Sequence, residues 1–225
     1  LFALVSRAGV GLLLRGVIGA RSPESFAAAR VAAYAYLLSP YLLNDKLLRN
    51  ANAEFAALCI VPLVFYGLIR IQRDHRGGLI VLAAAFGMTI LLHNLTALVV
   101  AALLLVGSVV LYFRTATTRT WIAIVCAVVL GLGLAAFFWM PSLGLMSLVR
   151  PEELLTGKYD FRSQFQPLAT FFIPRHSFSV GLIPLILLMF SIWMGWFIRD
   201  KRFPAKRLFI FALVFVAVFL FLQIP

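Results

Sequence analysis

Two carboxylates and two cations fall within the eleven residues Asn44-Asp45-Lys46-Leu47-Leu48-Arg49-Asn50-Ala51-Asn52-Ala53-Glu54. A carboxylate beside a hydroxyl group can act as a general base or hold a divalent cation, and lysine or arginine can grip a phosphate through charge-assisted hydrogen bonds. Wound as a helix, the segment would place Asp45, Arg49 and Asn52 on one stripe and Lys46, Asn50 and Glu54 on its neighbour. Leu47, Leu48 and Ala51 would then point away. Asp45 and Glu54 are the candidate catalytic acids, with Lys46 and Arg49 as candidate ligands of an anionic head group. The alternative for the same pattern is an interfacial amphipathic helix whose charges face water.

A second polar segment runs from Pro141 to Ser179, with Arg150-Pro151-Glu152-Glu153, Lys158-Tyr159-Asp160-Phe161-Arg162-Ser163-Gln164 and Pro174-Arg175-His176 as its polar clusters. Tyr159 and Arg162 are candidate substrate contacts here, and its aromatics also suit the interfacial belt of a membrane protein. His93 is a third candidate contact. With His75 expected on the opposite side of the membrane from His93 and His176, no triple-histidine metal site can assemble, and no HExxH spacing occurs. No metal site is therefore assigned to named residues. Asn94-Leu95-Thr96 matches a glycosylation sequon but lies too close to the membrane to be read as one.

These groups must be positioned by unusually apolar elements. Of 225 residues 63% are hydrophobic and 12% charged, and the mean hydropathy is +1.02, which points to lipid as the surrounding solvent. The formal charge of +12 sits in short clusters between apolar runs, an arrangement that marks orientation rather than nucleic-acid binding. Cys59 and Cys126 each lie inside an apolar run, so neither a disulfide framework nor a cysteine metal site is expected.

A helix crosses the hydrocarbon core with roughly 20 residues. The runs near that length are Leu1 to Leu14 (interrupted by Arg7), Ser25 to Leu43, Phe55 to Ile71, Gly77 to Leu92, Leu95 to Phe113, Trp121 to Met140, Val180 to Ile198 and Leu208 to Ile224. Gly77 to Phe113 as one helix would measure roughly 55 Å, nearly twice the core thickness, so a turn is expected at His93-Asn94. Pro62 should kink the third run. Gly131-Leu132-Gly133 is read as helix packing. The expected fold is an all-α polytopic transmembrane bundle of about seven or eight spans, one transmembrane domain over residues 1–225. The first span is expected to be truncated and both ends to continue into a longer chain.

Alternating the loops puts 13 basic residues on one side, among them Arg70, Arg73, Arg76, Arg114, Arg119, Arg199 and Lys201, against the acids Glu24, Asp74 and Asp200. The other side has six basic residues and five acids. The positive-inside bias then makes loops 70–77, 114–120 and 199–207 cytoplasmic, and places segments 44–54 and 141–179 outside.

Several stretches resemble a family of bacterial and archaeal integral membrane proteins labelled 6-pyruvoyl-tetrahydropterin synthase-related, which in turn resemble membrane glycosyltransferases of the GT-C class. They are Leu38-Ser39-Pro40-Tyr41-Leu42-Leu43 with Asp45, Arg49 and Ala53-Glu54, then Leu92-His93-Asn94-Leu95-Thr96-Ala97. Ala136-Phe137-Phe138-Trp139-Met140-Pro141 and Tyr159-Asp160-Phe161-Arg162-Ser163-Gln164-Phe165 follow in order. The resemblance implies a GT-C-like bundle in a prokaryotic cytoplasmic membrane, acting on a polyprenyl-phosphate sugar at the extracytoplasmic face. It also implies that the principal acid of the class, carried by the first outer loop, would precede Leu1. Neither pterin nor zinc is expected; a divalent cation is the cofactor left open. Membrane lipid is the expected partner, nucleic acid is not, and the non-enzymatic alternative is an accessory subunit of a membrane complex or a transporter of a lipid-linked glycan.

Overall fold

The computed structural model describes residues 1–18, 30, 32–34, 36–75, 77–112 and 116–148. The helices whose bounds are defined are α1 (Phe2–Ile18), α2 (Pro40–Leu47), α3 (Asn52–Gln72), α4 (Gly77–Leu92), α5 (Asn94–Tyr112), α6 (Thr118–Leu134) and α7 (Ala136–Gly144), followed by a 3-10 turn at Met146–Leu148; residues 30, 32–34, 36 and 37 are also helical. No strand occurs among the described residues, in agreement with the all-α expectation. The chain divides into two compact units, Leu1–Ala135 and Ala136–Pro225. Helix α3, with 21 residues, is long and apolar enough to cross a membrane by itself; α6 qualifies only when counted with α7, from which Ala135 separates it. The apolar stretches Phe2–Leu13, Gly77–Leu92 and Asn94–Val109 are shorter. The runs Val180 to Ile198 and Leu208 to Ile224 lie outside the described residues.

Within the first unit α4 is the central element, packed against both α3 and α6. Glycines set these contacts. A Cβ on Gly67 would sit 2.6 Å from the backbone nitrogen of Leu82, and one on Gly78 would sit 2.6 Å from that of Ile71. The α3/α4 pair is therefore an antiparallel hairpin in backbone-to-backbone contact, the small-residue packing that substitutes for hydrophobic driving force between apolar helices. On the other flank Gly131 of α6 faces the carbonyl of Ala83 and the backbone of Gly87, with Cβ distances of 3.0 and 3.3 Å. Gly133 has open space around it, so of the two glycines in that motif only Gly131 is a packing residue.

Helix α6 buries only Ile124, Ala127 and Gly131, a stripe one residue wide, and leaves Ile122, Val125, Val129, Leu130 and Leu134 exposed. Helix α5 likewise buries Ala97, Val100 and Leu104 and exposes Leu95, Leu98, Val99 and Leu105. A soluble bundle helix would put charged residues on those outer faces. Here the outer faces are as apolar as the seams.

Pro62 lies inside α3 and has no N–H to give to the carbonyl of Leu58, four residues earlier. That carbonyl accepts the hydroxyl of Tyr36 instead, at 2.7 Å. An orphaned carbonyl in an apolar interior is costly, and Tyr36 removes that cost. The break expected at His93-Asn94 is present: α4 ends at Leu92 and α5 starts at Asn94.

Candidate functional site

Segment 44–54 departs from the single surface helix expected of it. Helix α2 opens with Pro40 in its first turn, where a missing N–H costs nothing, and closes at Leu47. Leu48 to Ala51 then turn the chain, with Asn50 at φ 52°, a left-handed conformation that asparagine tolerates better than most residues. Helix α3 begins at Asn52. The expected stripes are cut by this turn, so Asn52 and Glu54 belong to a different helix from Asp45 and Lys46. Asn50, on the turn itself, accepts a hydrogen bond from the Asn52 side chain.

The turn folds the charges together. Arg49 donates to Asp45 Oδ1 at 2.6 Å and pairs with Glu54 Oε2 at 3.3 Å. Tyr41 donates its hydroxyl to Glu54 Oε1. The side chain of Asp45 is 0% exposed, whereas Glu54 and Arg49 keep 15% and 34%. Asp45 Oδ2 is enclosed and has no hydrogen-bond partner in the structure. Burial pushes the Asp45 carboxyl above the usual carboxylate range, and the neighbouring charge of Glu54 adds to this, while Arg49 and His93 oppose it. The picture of charges simply facing water thus fails at Asp45, although Leu48, at 82% exposed, does point away as expected.

Lys46 stands apart from this cluster. Its ammonium donates to Asn52 Oδ1 at 2.7 Å and lies 5.7 Å from the centre of the Phe55 ring, which fastens the end of α2 to the start of α3. His93 is the cap of α5. Its Nδ1 accepts from the Thr96 backbone N–H at 3.2 Å and lies 2.8 Å from the Thr96 hydroxyl. With Nδ1 accepting, the ring proton sits on Nε2. Tyr159 and Arg162, with the rest of residues 149–179, lie outside the described residues.

Tyr41 is a member of the cluster that residue type alone does not single out among six tyrosines. The available signal is its position four residues before Asp45, on the same helical face. Among the described residues no three His, Cys, Asp or Glu side chains are grouped as metal ligands, and both cysteines are free. The cluster as it stands is an arginine held between two carboxylates, one sealed and one partly exposed. It can present a fixed positive charge with an acid beside it. Compared with protein-family models, with curated proteins and with solved structures, the chain matches none.

Proposed function

We propose that this chain is a GT-C-like membrane protein of seven or eight spans that takes a sugar from a lipid-phosphate carrier at the extracytoplasmic face. The observation that supports the reading is the joining of Asp45, Arg49, Glu54 and Tyr41 where polar chain meets the apolar helix α3. Glu54, the more open acid, would take the proton of an acceptor hydroxyl, whose oxygen attacks the anomeric carbon as the bond to the carrier phosphate breaks. Arg49 would receive the negative charge left on that phosphate, with Asp45 holding the guanidinium in place and Tyr41 fixing Glu54. Lys46 and His93, with Tyr159 and Arg162 from the second polar segment, would complete the substrate contacts. The residues present do not suit a resident divalent cation, because the two acids are already engaged by Arg49, and no step is assigned to one.

The test is transfer from a polyprenyl-phosphate sugar by the full chain in proteoliposomes. Glu54→Gln should lower transfer by about a hundredfold or more with unchanged expression, the usual loss on removing a general base. Asp45→Asn should lower it less. Full activity in both variants would remove these acids from the mechanism.

The complete enclosure of Asp45 favours a second reading, a non-enzymatic membrane component in which the ion pairs lock α2 to α3. As an accessory or structural subunit the wild-type chain would transfer no sugar, and Glu54→Gln would release a co-purifying membrane protein.

A further inference from the structure

The end of the bundle away from Asp45 carries a cationic cluster that the proposed transfer does not use. Arg70, in the last turn of α3, lays its guanidinium 5.7 Å from the centre of the Tyr66 ring. The same group reaches the start of α4, where a Cβ on Gly77 would lie 3.5 Å from Arg70 Nη2. Its Nε is buried and has no hydrogen-bond partner in the structure. Arg73, one turn-length further along the chain, is exposed. Asp74 adopts a left-handed φ of 56° and meets Arg119, at the start of α6, at 3.4 Å; both side chains are about three-quarters exposed. The α3–α4 turn and the first turn of α6 are thus neighbours, presenting three guanidinium groups against one carboxylate.

This charge adjoins an apolar surface. Ile80, one turn into α4, and Ile122, one turn into α6, are each more than half exposed. A nucleic acid or a soluble anion would have no use for that apolar border, whereas an amphiphile with an anionic head has a use for both. The half-buried Arg70 guanidinium and the exposed Arg73 and Arg119 offer several charged donors, which the oxygens of a phosphodiester can accept. The Asp74–Arg119 pair is no obstacle, since an exposed ion pair exchanges partners at little cost.

We propose that Arg70, Arg73 and Arg119 form a headgroup site for an anionic phospholipid, whose acyl chains lie against the apolar flanks of α4 and α6. The proposal rests on the membrane reading above, but not on sugar transfer.

The full chain is reconstituted in phosphatidylcholine nanodiscs, and the immobilised fraction of spin-labelled phosphatidylglycerol is compared with that of spin-labelled phosphatidylcholine. The wild type should prefer phosphatidylglycerol, and the preference should fall with added salt and by about fivefold for each arginine neutralised. Arg119→Gln is the decisive single variant, because that side chain is exposed and its loss leaves the helix seams intact. Equal immobilisation of the two lipids, or unchanged preference in Arg119→Gln and Arg73→Gln, overturns the proposal. Full competition by glycerol 3-phosphate overturns the lipid assignment in favour of a soluble phosphate, and competition by oligonucleotide alone overturns it in favour of nucleic acid. A chain that does not enter phosphatidylcholine nanodiscs overturns the membrane reading itself, a failure distinct from absent lipid preference.

Discussion

Tyr36 and Pro62 are coupled through one carbonyl, and the coupling can be measured. In the wild type the Leu58 carbonyl accepts the Tyr36 hydroxyl at 2.7 Å because Pro62 offers no N–H. Tyr36→Phe keeps the ring and leaves that carbonyl orphaned in a partly buried, apolar place, which costs about 1–3 kcal/mol. Pro62→Ala restores the N–H while keeping the Cβ that abuts the position of a Gly9 Cβ at 3.3 Å. In the Pro62→Ala background Leu58 has its ordinary helical donor, so Tyr36→Phe should cost under about 0.5 kcal/mol. The expected interaction energy of the double-mutant cycle is therefore about 0.5–3 kcal/mol. The assay is denaturant unfolding of the detergent-solubilised chain, followed by helix content, for the wild type, both single variants and the double. Additive losses would refute the reasoning, because they would show that the hydroxyl does not replace the missing helix bond.

Three further outcomes follow from the packing and the charges. Arg49→Ala leaves Asp45 buried beside Glu54 without its cation; it should destabilise by about 2–3 kcal/mol, toward the low end for breaking a buried pair since Arg49 is a third exposed. Asp45→Asn should cost less, and unfolding curves that reverse this order would contradict the assignment. Because the folded-state pKa of Asp45 is raised, its contribution to stability is full below the unfolded value of about 4 and is lost as pH rises through the folded value. Melting scans over pH should accordingly show Asp45→Asn gaining on the wild type as pH increases, and Arg49→Ala recovering part of its deficit as pH falls. Gly67→Ala, whose Cβ would meet the Leu82 backbone at 2.6 Å, should destabilise by about 1–3 kcal/mol, while Gly133→Ala, with open space, should be neutral or slightly stabilising; equal effects in thermal unfolding would argue against the glycine seam.

Helix boundaries were legible where composition changes sharply. The run Gly77 to Leu92 coincides with α4, and α5 starts one residue before the run Leu95 to Phe113, because apolar runs that stop at polar turns state their own limits. Trp121 to Met140 is divided at Ala135, two residues after Gly133, whose weak helix preference is concealed within a continuous apolar run. The Asp45–Arg49 pair follows from the helical repeat. The meeting of Arg49 with Glu54 does not: it depends on the left-handed Asn50, and periodicity extrapolates straight through such a residue. Tyr36 was equally hidden, since its partner is a backbone carbonyl 22 residues away that becomes needy only once Pro62 is inside a helix.

Helix α4 has sixteen residues, about 24 Å of rise, against a hydrocarbon layer of about 30 Å. Its glycine seams bind it to taller neighbours, and polar groups stand at its two ends, His93 above and Asp74 below. In the bilayer that the proposed function places around it, lipid leaflets meeting this helix would dip toward each other, and the chain would favour thin bilayers over thick ones.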